Sequence, residues 1–395
     1  MTEQTGAWLR ALAGGDDHPD LIAADAARTR YAEAAVPEAT TRAYTEAWGA
    51  FETWCRTVDL DSLPADPVTV ERYLAVAAER RDLAASTLAV WVAAIAHHHR
   101  AAGHDDPTTE EKVRAVLDGV GVTQTAAGRE IDAAPPADHP VVTAMITTAH
   151  TTAVTWRQQV AARRDIAVIL TGFSMLARRS ELAALWTSDL SLTTDGERLL
   201  RIRRRGTKAH RGKVTHVYRR AGTGPALSCL WCALHRWLIV LDARDQAAAR
   251  ELRRQHRHQL LVVDQPALKR AISIAVQRAL AADEFDAHTH RCAQPWPETS
   301  APEAPLFRPV AKTGLPSADG LSDRQIARII QARGRAAGYP DLRGHSLRAG
   351  GATTAFENGA ELTDVMALGG WSTPASALRY DRDRDRRSVR VDLGI

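Results

Sequence analysis

Residues 121–140 limit what this chain can fold into more than any other stretch. They contain Gly121 and Gly128 and end in Ala-Ala-Pro-Pro-Ala-Asp-His-Pro. Proline lacks a backbone donor and has a fixed φ, and glycine forfeits conformational entropy, so neither a long helix nor a central strand runs comfortably through such a stretch. The segment reads as a linker, and the 395 residues therefore divide into units that each bury their own core. The expected organisation is a loosely tied extension over 1–35, a helical domain over 36–120, the linker over 121–140, a larger domain over 141–385 and a tail over 386–395.

Before the linker, the periodicity is helical. Tyr44, Trp48, Phe51 and Cys55 fall at i, i+4, i+7 and i+11, a continuous apolar stripe with Trp54 beside it. A helix is expected from about Pro67, another over Ser86–His99 with Leu88, Trp91, Val92 and Ile95 on one side, and a fourth over Thr108–Leu117. The run His97-His98-His99 spreads around a helix and cannot converge on one ion, so it reads as an exposed helix end. After the linker come more helices, including 162–176, then LLRIRR (199–204) and VTHVYR (214–219), two strands joined by a basic turn. Ser322 and Gln325 are spaced as a capping box. The fold class is an all-α first domain followed by a mainly helical α+β domain with a small antiparallel sheet.

Hydrophobic residues are 45% and charged residues 25%, which excludes a collagen, a disordered chain and a disulfide scaffold. No apolar run approaches the ~18–20 residues of a membrane span, and Met1-Thr2-Glu3-Gln4 lacks the start of a secretory signal, so no membrane partner and a cytoplasmic location are expected. Cys229 and Cys232, with His288, His290 and Cys292 downstream, have the residue types of a zinc site. Their setting, LSCLWCALHRWLIVL, reads as an apolar helix, so buried, inert cysteines and no metal are expected. There is no phosphate-cradling glycine loop, hence no nucleotide cofactor.

The net charge is only +4, but residues 201–220 hold nine Lys/Arg and no acid. Such a block repels itself unless a polyanion lies against it, so nucleic acid is the first partner to consider, with Arg203, Arg204, Arg205, Arg211 and Lys213 as contacts.

Three segments stand out: ARRSELAAL (177–185), the basic turn around Lys208, and residues 344–380, where His345-x-x-Arg348 is followed after 23 residues by Trp371 and nine later by Tyr380. Singly each has an ordinary reading, such as a helical Arg178–Glu181 ion pair. In this order they resemble the tyrosine recombinases, the phage-integrase family. The likeness covers about 36–240 and 303–385. It implies a core-binding domain over 36–120 and a catalytic domain over 141–385 that close as a clamp on duplex DNA. It also implies cleavage and rejoining through a 3′-phosphotyrosyl link and a Holliday junction, a dimer on DNA, a tetramer at synapsis and no cofactor. The implied host is a bacterial cytoplasm, with the protein nucleoid-associated when bound. A type IB topoisomerase or telomere resolvase, or a DNA-binding protein without recombination, are the alternative readings.

The residue types suit that chemistry. Arg178 and Arg348 are planar, permanently charged and bidentate, as a phosphate gaining charge requires. Tyr380 matches the family's nucleophile, and His345 is suited to take its proton. Lys208 matches the general acid for the 5′-oxygen, although Lys213 competes for that assignment. Trp371 has an indole N–H for the phosphate, and Glu181 looks like the acid that orients the site. The sequence departs from the family between about 241 and 304, where a short connection is expected. Leu268, Ile272, Ala275 and Ala279 mark one helical face within this insertion.

Overall fold

A computed structural model describes residues 19–35, 38–129, 133–193, 196–205, 214–222, 224–260, 262–283 and 285–382. The chain divides into two units, Met1–Asp132 and Ala133–Ile395. Among the described residues, no helix is long and apolar enough to cross a membrane.

The first unit is helical: α1 (Pro19–Ala35), α2 (Glu38–Thr57), α3 (Pro67–Arg81), α4 (Ala85–Ala101) and α5 (Glu111–Ala126). The α2 stripe buries Phe51 and Cys55 against Val70, Tyr73 and Leu74 of α3, Leu88 and Ile95 of α4, and Val113 of α5. Asp66 starts α3 by accepting the Val68 amide at 2.8 Å, and Pro67 occupies the first turn, where no amide is needed. The histidine run departs from the expected exposed end. His99 is wholly buried, its Nδ1 facing the Ile95 carbonyl at 2.8 Å and its Nε2 accepting the Ala65 amide at 2.9 Å.

The linker also begins later than its glycines suggest. α5 continues through Gly119 and Gly121 to Ala126, since each helical glycine costs only ~1 kcal/mol relative to alanine. The next helix, α6 (His139–Thr151), starts at the far end of the Pro-rich stretch, where the Asp138 carboxylate accepts the Val141 amide at 3.2 Å.

The second unit continues with α7 (Trp156–Ser174), α8 (Arg179–Ala183), β1 (Leu190–Leu192), β2 (Leu200–Arg204), β3 (Thr215–Arg219), α9 (Leu230–Arg257), α10 (Gln265–Ala282), α11 (Asp323–Ala336), α12 (Ser346–Glu357), α13 (Leu362–Gly369) and α14 (Pro374–Leu378). α7 is the hub. It is buried over most of its length, with Val160, Ile166, Ala167, Val168, Ile169 and Leu170 in the core. Reciprocal caps start α7 (Thr155 with Gln158) and α11 (Ser322 with Gln325). The sheet is antiparallel in the order β1-β2-β3, with Ile202 opposite both Leu190 and Val217.

The insertion has no boundary at 241, because α9 runs unbroken from Leu230 to Arg257. α10 returns along it and buries Ile272, Val276 and Leu280, one face displaced from the expected Ala275 and Ala279. The irregular return from Asp283 to Leu306 is held by buried arginines. Arg163 donates to the Asp283 carbonyl at 2.7 Å and lies 4.2 Å from the Phe285 ring centre. Arg236 donates to the Asp286 and Thr289 carbonyls, and Arg308 grips Asp245 through two 2.8 Å bonds. Cys229 and Cys232 are buried, as expected, but they do not stand alone. The ligand atoms of Cys229, Cys232, His290 and Cys292 lie within 4.8 Å of one another.

Candidate active site

Four segments of the second unit bring the singled-out residues together. The first is the turn from α7 into α8. Leu176 is buried in the left-handed region (φ 49°), a conformation that costs a branched residue ~1–2 kcal/mol. This turns the chain so that Arg178 precedes α8 in extended conformation. Glu181, in the first turn of α8, then folds back. One oxygen accepts the Arg178 guanidinium at 2.7 Å and the other the Arg178 amide at 3.1 Å. The expected ion pair is therefore present, and it belongs to a larger cluster.

The second segment is β2. Leu200, Ile202 and Arg204 are buried, as strand alternation requires. Arg204 is only 2% exposed. It lies 3.6 Å from Glu181 and donates to the Leu368 carbonyl at 2.9 Å and the Met175 carbonyl at 2.6 Å. This corrects the expectation that Arg204 contacts DNA: its guanidinium is used inside the protein. Period-two alternation from Leu200 was the sequence signal for that inward direction.

Three other arginines of the basic block, Arg203, Arg205 and Arg220, find counter-charges from elsewhere in the chain. Buried Asp189 accepts Arg203 at 2.6 Å and Arg205 at 2.9 Å, and Arg205 also lies 4.2 Å from the Trp186 ring centre. Arg220 pairs with Glu197 and Arg219 donates to the Ser174 carbonyl. The block was acid-free only in the linear sequence. Lys208, Arg211 and Lys213 lie outside the described residues.

The third segment is the start of α12. His345 precedes the helix and Arg348 sits in its first turn, 3% exposed. The helix comes close because Gly350 has no side chain: a Cβ there would lie 1.8 Å from the Ala137 carbonyl oxygen. Arg348 Nη1 donates to the Leu176 carbonyl at 2.5 Å and the Gly369 carbonyl at 2.8 Å. Its Nη2 is buried with no protein partner.

The fourth segment follows α13. Gly370 ends that helix in the left-handed region, and Gly369 leaves room for Trp371, whose ring a Cβ would strike at 2.0 Å. Trp371 lies flat under Arg348, guanidinium carbon to ring centre 3.9 Å, and its centre is 5.5 Å from that of Tyr380. Trp371 thus presents its ring face to Arg348, where sequence reasoning had considered only its N–H. Tyr380 is half-buried against Leu176, Ala352, Phe356 and Val365, and its carbonyl accepts the Thr353 hydroxyl at 3.1 Å.

Arg178, Arg204 and Arg348 surround a single carboxylate, Glu181, so the pocket has excess positive charge. Burial, then Arg178, push Arg348 down to about 10, with Glu181 and Tyr380 opposing. His345 keeps a solvent-exposed edge. Its pKa is lowered from 6.5 first by loss of water around the ring, then by Arg179, Arg348 and Arg178. It is therefore a neutral imidazole at pH 7, able to accept a proton. Arg179 was not singled out from sequence, although it adjoins Arg178. Chemically, the pocket suits a tetrahedral or bipyramidal oxyanion beside a phenol.

No family model matches the chain. An integrase/recombinase described as a xerD homolog, from Selenomonas ruminantium, is 24% identical over 333 residues, 83% of this chain and 76% of that protein. A putative prophage phiRv2 integrase of Mycobacterium tuberculosis is 42% identical over 69 residues, 17% of this chain and 18% of its own. Similar solved structures include XerH recombinase bound to a palindromic difH substrate (12% identity, 82% of this chain and 72% of that one, TM-score 0.46). A lambda integrase dimer bound to a core site is another (11%, 93% and 97%, TM-score 0.44). Arg178, His345, Arg348, Trp371 and Tyr380 thus stand in order along a chain that is similar over 333 residues to an integrase/recombinase.

Proposed function

We propose that the protein is a site-specific DNA recombinase that cleaves and rejoins duplex DNA at Tyr380. The Tyr380 oxygen attacks the scissile phosphorus and its proton passes to neutral His345. The bond from phosphorus to the 5′-oxygen breaks, leaving a 3′-phosphotyrosyl link. Lys208 supplies the proton that completes the 5′-hydroxyl. Arg178 and Arg348 meet the charge gained by the non-bridging oxygens, and Trp371 holds Arg348 flat against the site. Attack by a 5′-hydroxyl from the partner duplex reverses the step with the bond conserved, and two rounds pass through a Holliday junction. In this reading, residues 36–120 are the core-binding domain and 141–385 the catalytic domain. Protomers pair on DNA and meet as a tetramer at synapsis.

One observation carries the proposal: Arg348 has a buried, unpartnered Nη2 beside Arg178 and is stacked on the tryptophan that packs against Tyr380. A buried guanidinium donor without an acceptor is costly unless a ligand supplies one. The test uses a duplex selected from a random pool by binding, then nicked so that cleavage cannot reverse. The wild-type chain is expected to form a detergent-resistant adduct that maps to Tyr380. Tyr380→Phe is expected to bind the same duplex equally and form none. An adduct in Tyr380→Phe overturns the assignment.

A further inference from the structure

We infer that Cys229, Cys232, His290 and Cys292 form a structural zinc site that fastens the insertion to the start of α9. Their four ligand atoms lie within 4.8 Å of one another, and the cysteines are free thiols. Zinc–sulfur bonds of about 2.3 Å and zinc–nitrogen bonds of about 2.0 Å set tetrahedral edges of roughly 3.8 Å between sulfurs and 3.5 Å from sulfur to nitrogen. His290 Nδ1 is 3.5 Å from Cys232 Sγ and 3.4 Å from Cys292 Sγ. Two edges of a tetrahedral three-sulfur, one-nitrogen site are therefore already set.

The surroundings orient the ligands as a metal requires. His290 Nε2 lies 2.8 Å from the Gly224 carbonyl, which accepts only from a protonated nitrogen. Nδ1 is then left with a lone pair aimed at the sulfurs. Backbone amides point at two sulfurs: Gly222 at Cys229 Sγ, 3.3 Å, and Arg291 at Cys232 Sγ, 3.2 Å. A thiol is a weak acceptor, and a metal-bound thiolate is a strong one. Gly222 approaches this closely because it has no side chain; a Cβ would lie 3.2 Å from Cys229 Cβ. The Cys292 carbonyl accepts Arg198 at 2.8 Å, and Arg198 lies over Trp231. Four protein ligands fill a tetrahedron, so the site is structural and has no open position for substrate.

The bond closes a long loop. Cys232 and His290 are 58 residues apart, with almost all of α9 and all of α10 between them. Metal binding to such a set is folding free energy for the segment it closes. Arg163 and Arg236, gripping carbonyls, also hold the return from α10.

The test is metal content and ligand identity in the full chain, which does not depend on DNA cleavage or on the recombinase reading. Protein purified without a polyhistidine tag is expected to carry one zinc per chain. Exchange with Co²⁺ is expected to give tetrahedral ligand-field bands and a thiolate charge-transfer band, and X-ray absorption three sulfurs and one nitrogen. His288→Ala, outside the cluster, is expected to keep full zinc, and the double variant His290→Ala/Cys292→Ser to lose it. Wild-type protein that holds no zinc and shows no cobalt–thiolate band overturns the proposal. So does zinc retained in full by the double variant. Should that variant fail to fold, the wild-type ligand count decides.

Discussion

Arg204→Lys separates a buried structural arginine from a surface cation. Arg204 spans two carbonyls 2.9 and 2.6 Å away and lies 3.6 Å from Glu181. A lysine keeps the charge, but its single ammonium reaches at most one of the two carbonyls. One buried acceptor is left unsatisfied and the contact with Glu181 is weakened, at about 1–2 kcal/mol each, or about 2–4 kcal/mol together. For a unit of this size, about 2–4 °C of melting temperature follows each kcal/mol, so the second unit is expected to melt about 5–15 °C lower. Scanning calorimetry reads this directly, with the first unit's transition unmoved as an internal reference. Binding of Arg204→Gln, which removes the charge, to random-sequence duplex across a salt series gives the second readout. A buried cation displaces no counterions, so the slope of log K against log salt is expected to stay constant. A lost phosphate contact would lower it by about 0.9. An unchanged melting temperature together with a slope lowered by about one would refute the inward assignment of Arg204.

His345 must be neutral to accept a proton, and its pKa lies below 6.5. Single-turnover cleavage is therefore expected to be flat at pH 7 and to fall only as pH drops below 6.5. Arg179→Gln, which removes one of the cations holding that pKa down, is expected to move the acid limb upward. Gly350→Ala places a methyl 1.8 Å from the Ala137 oxygen and is expected to cost the second unit about 3 kcal/mol in chemical denaturation. Gly49→Ala, inside α2 with nothing within 4 Å, is expected to gain about 0.5–1 kcal/mol in the first unit. Lys208→Ala is expected to cleave slowly and to be rescued by a 5′-thiolate leaving group, which needs little protonation; rescue of Lys213→Ala instead moves the acid to Lys213.

Local physics was legible in the sequence wherever a few neighbouring residues decide it. The Ser322–Gln325 cap, the two strands and the α2 stripe depend on spacings of two to four residues and follow their periodicities. The order of Arg178, His345, Arg348, Trp371 and Tyr380 was legible because the resemblance rests on order and spacing. What needed three dimensions was partnership between distant residues. The acid-free run at 201–220 gave no sign that Asp189 and Glu197 would serve as its counter-ions. Cys229 and Cys232 sit in an apolar helix start, and only the return of an irregular segment tens of residues later brings His290 and Cys292 to them. Ala275 and Ala279 lost the buried face of α10 to the larger Val276 and Leu280, which a small-residue stripe did not reveal.

Arg204 and Arg348 take acceptors from the same two places in the chain. One holds the carbonyls of Met175 and Leu368, the other those of Leu176 and Gly369, each the next residue along. These parallel guanidinium staples join the turn before Arg178 to the segment that leads into Trp371 and Tyr380. Opening at either end would strip acceptors from both arginines together, so the region should exchange its amide hydrogens as one cooperative unit. In the proposed mechanism, the attacking tyrosine and the two arginines assigned to the phosphate would then be assembled or dismantled jointly. A partly frayed molecule would not present a nucleophile to DNA without the charges that restrain what it does there.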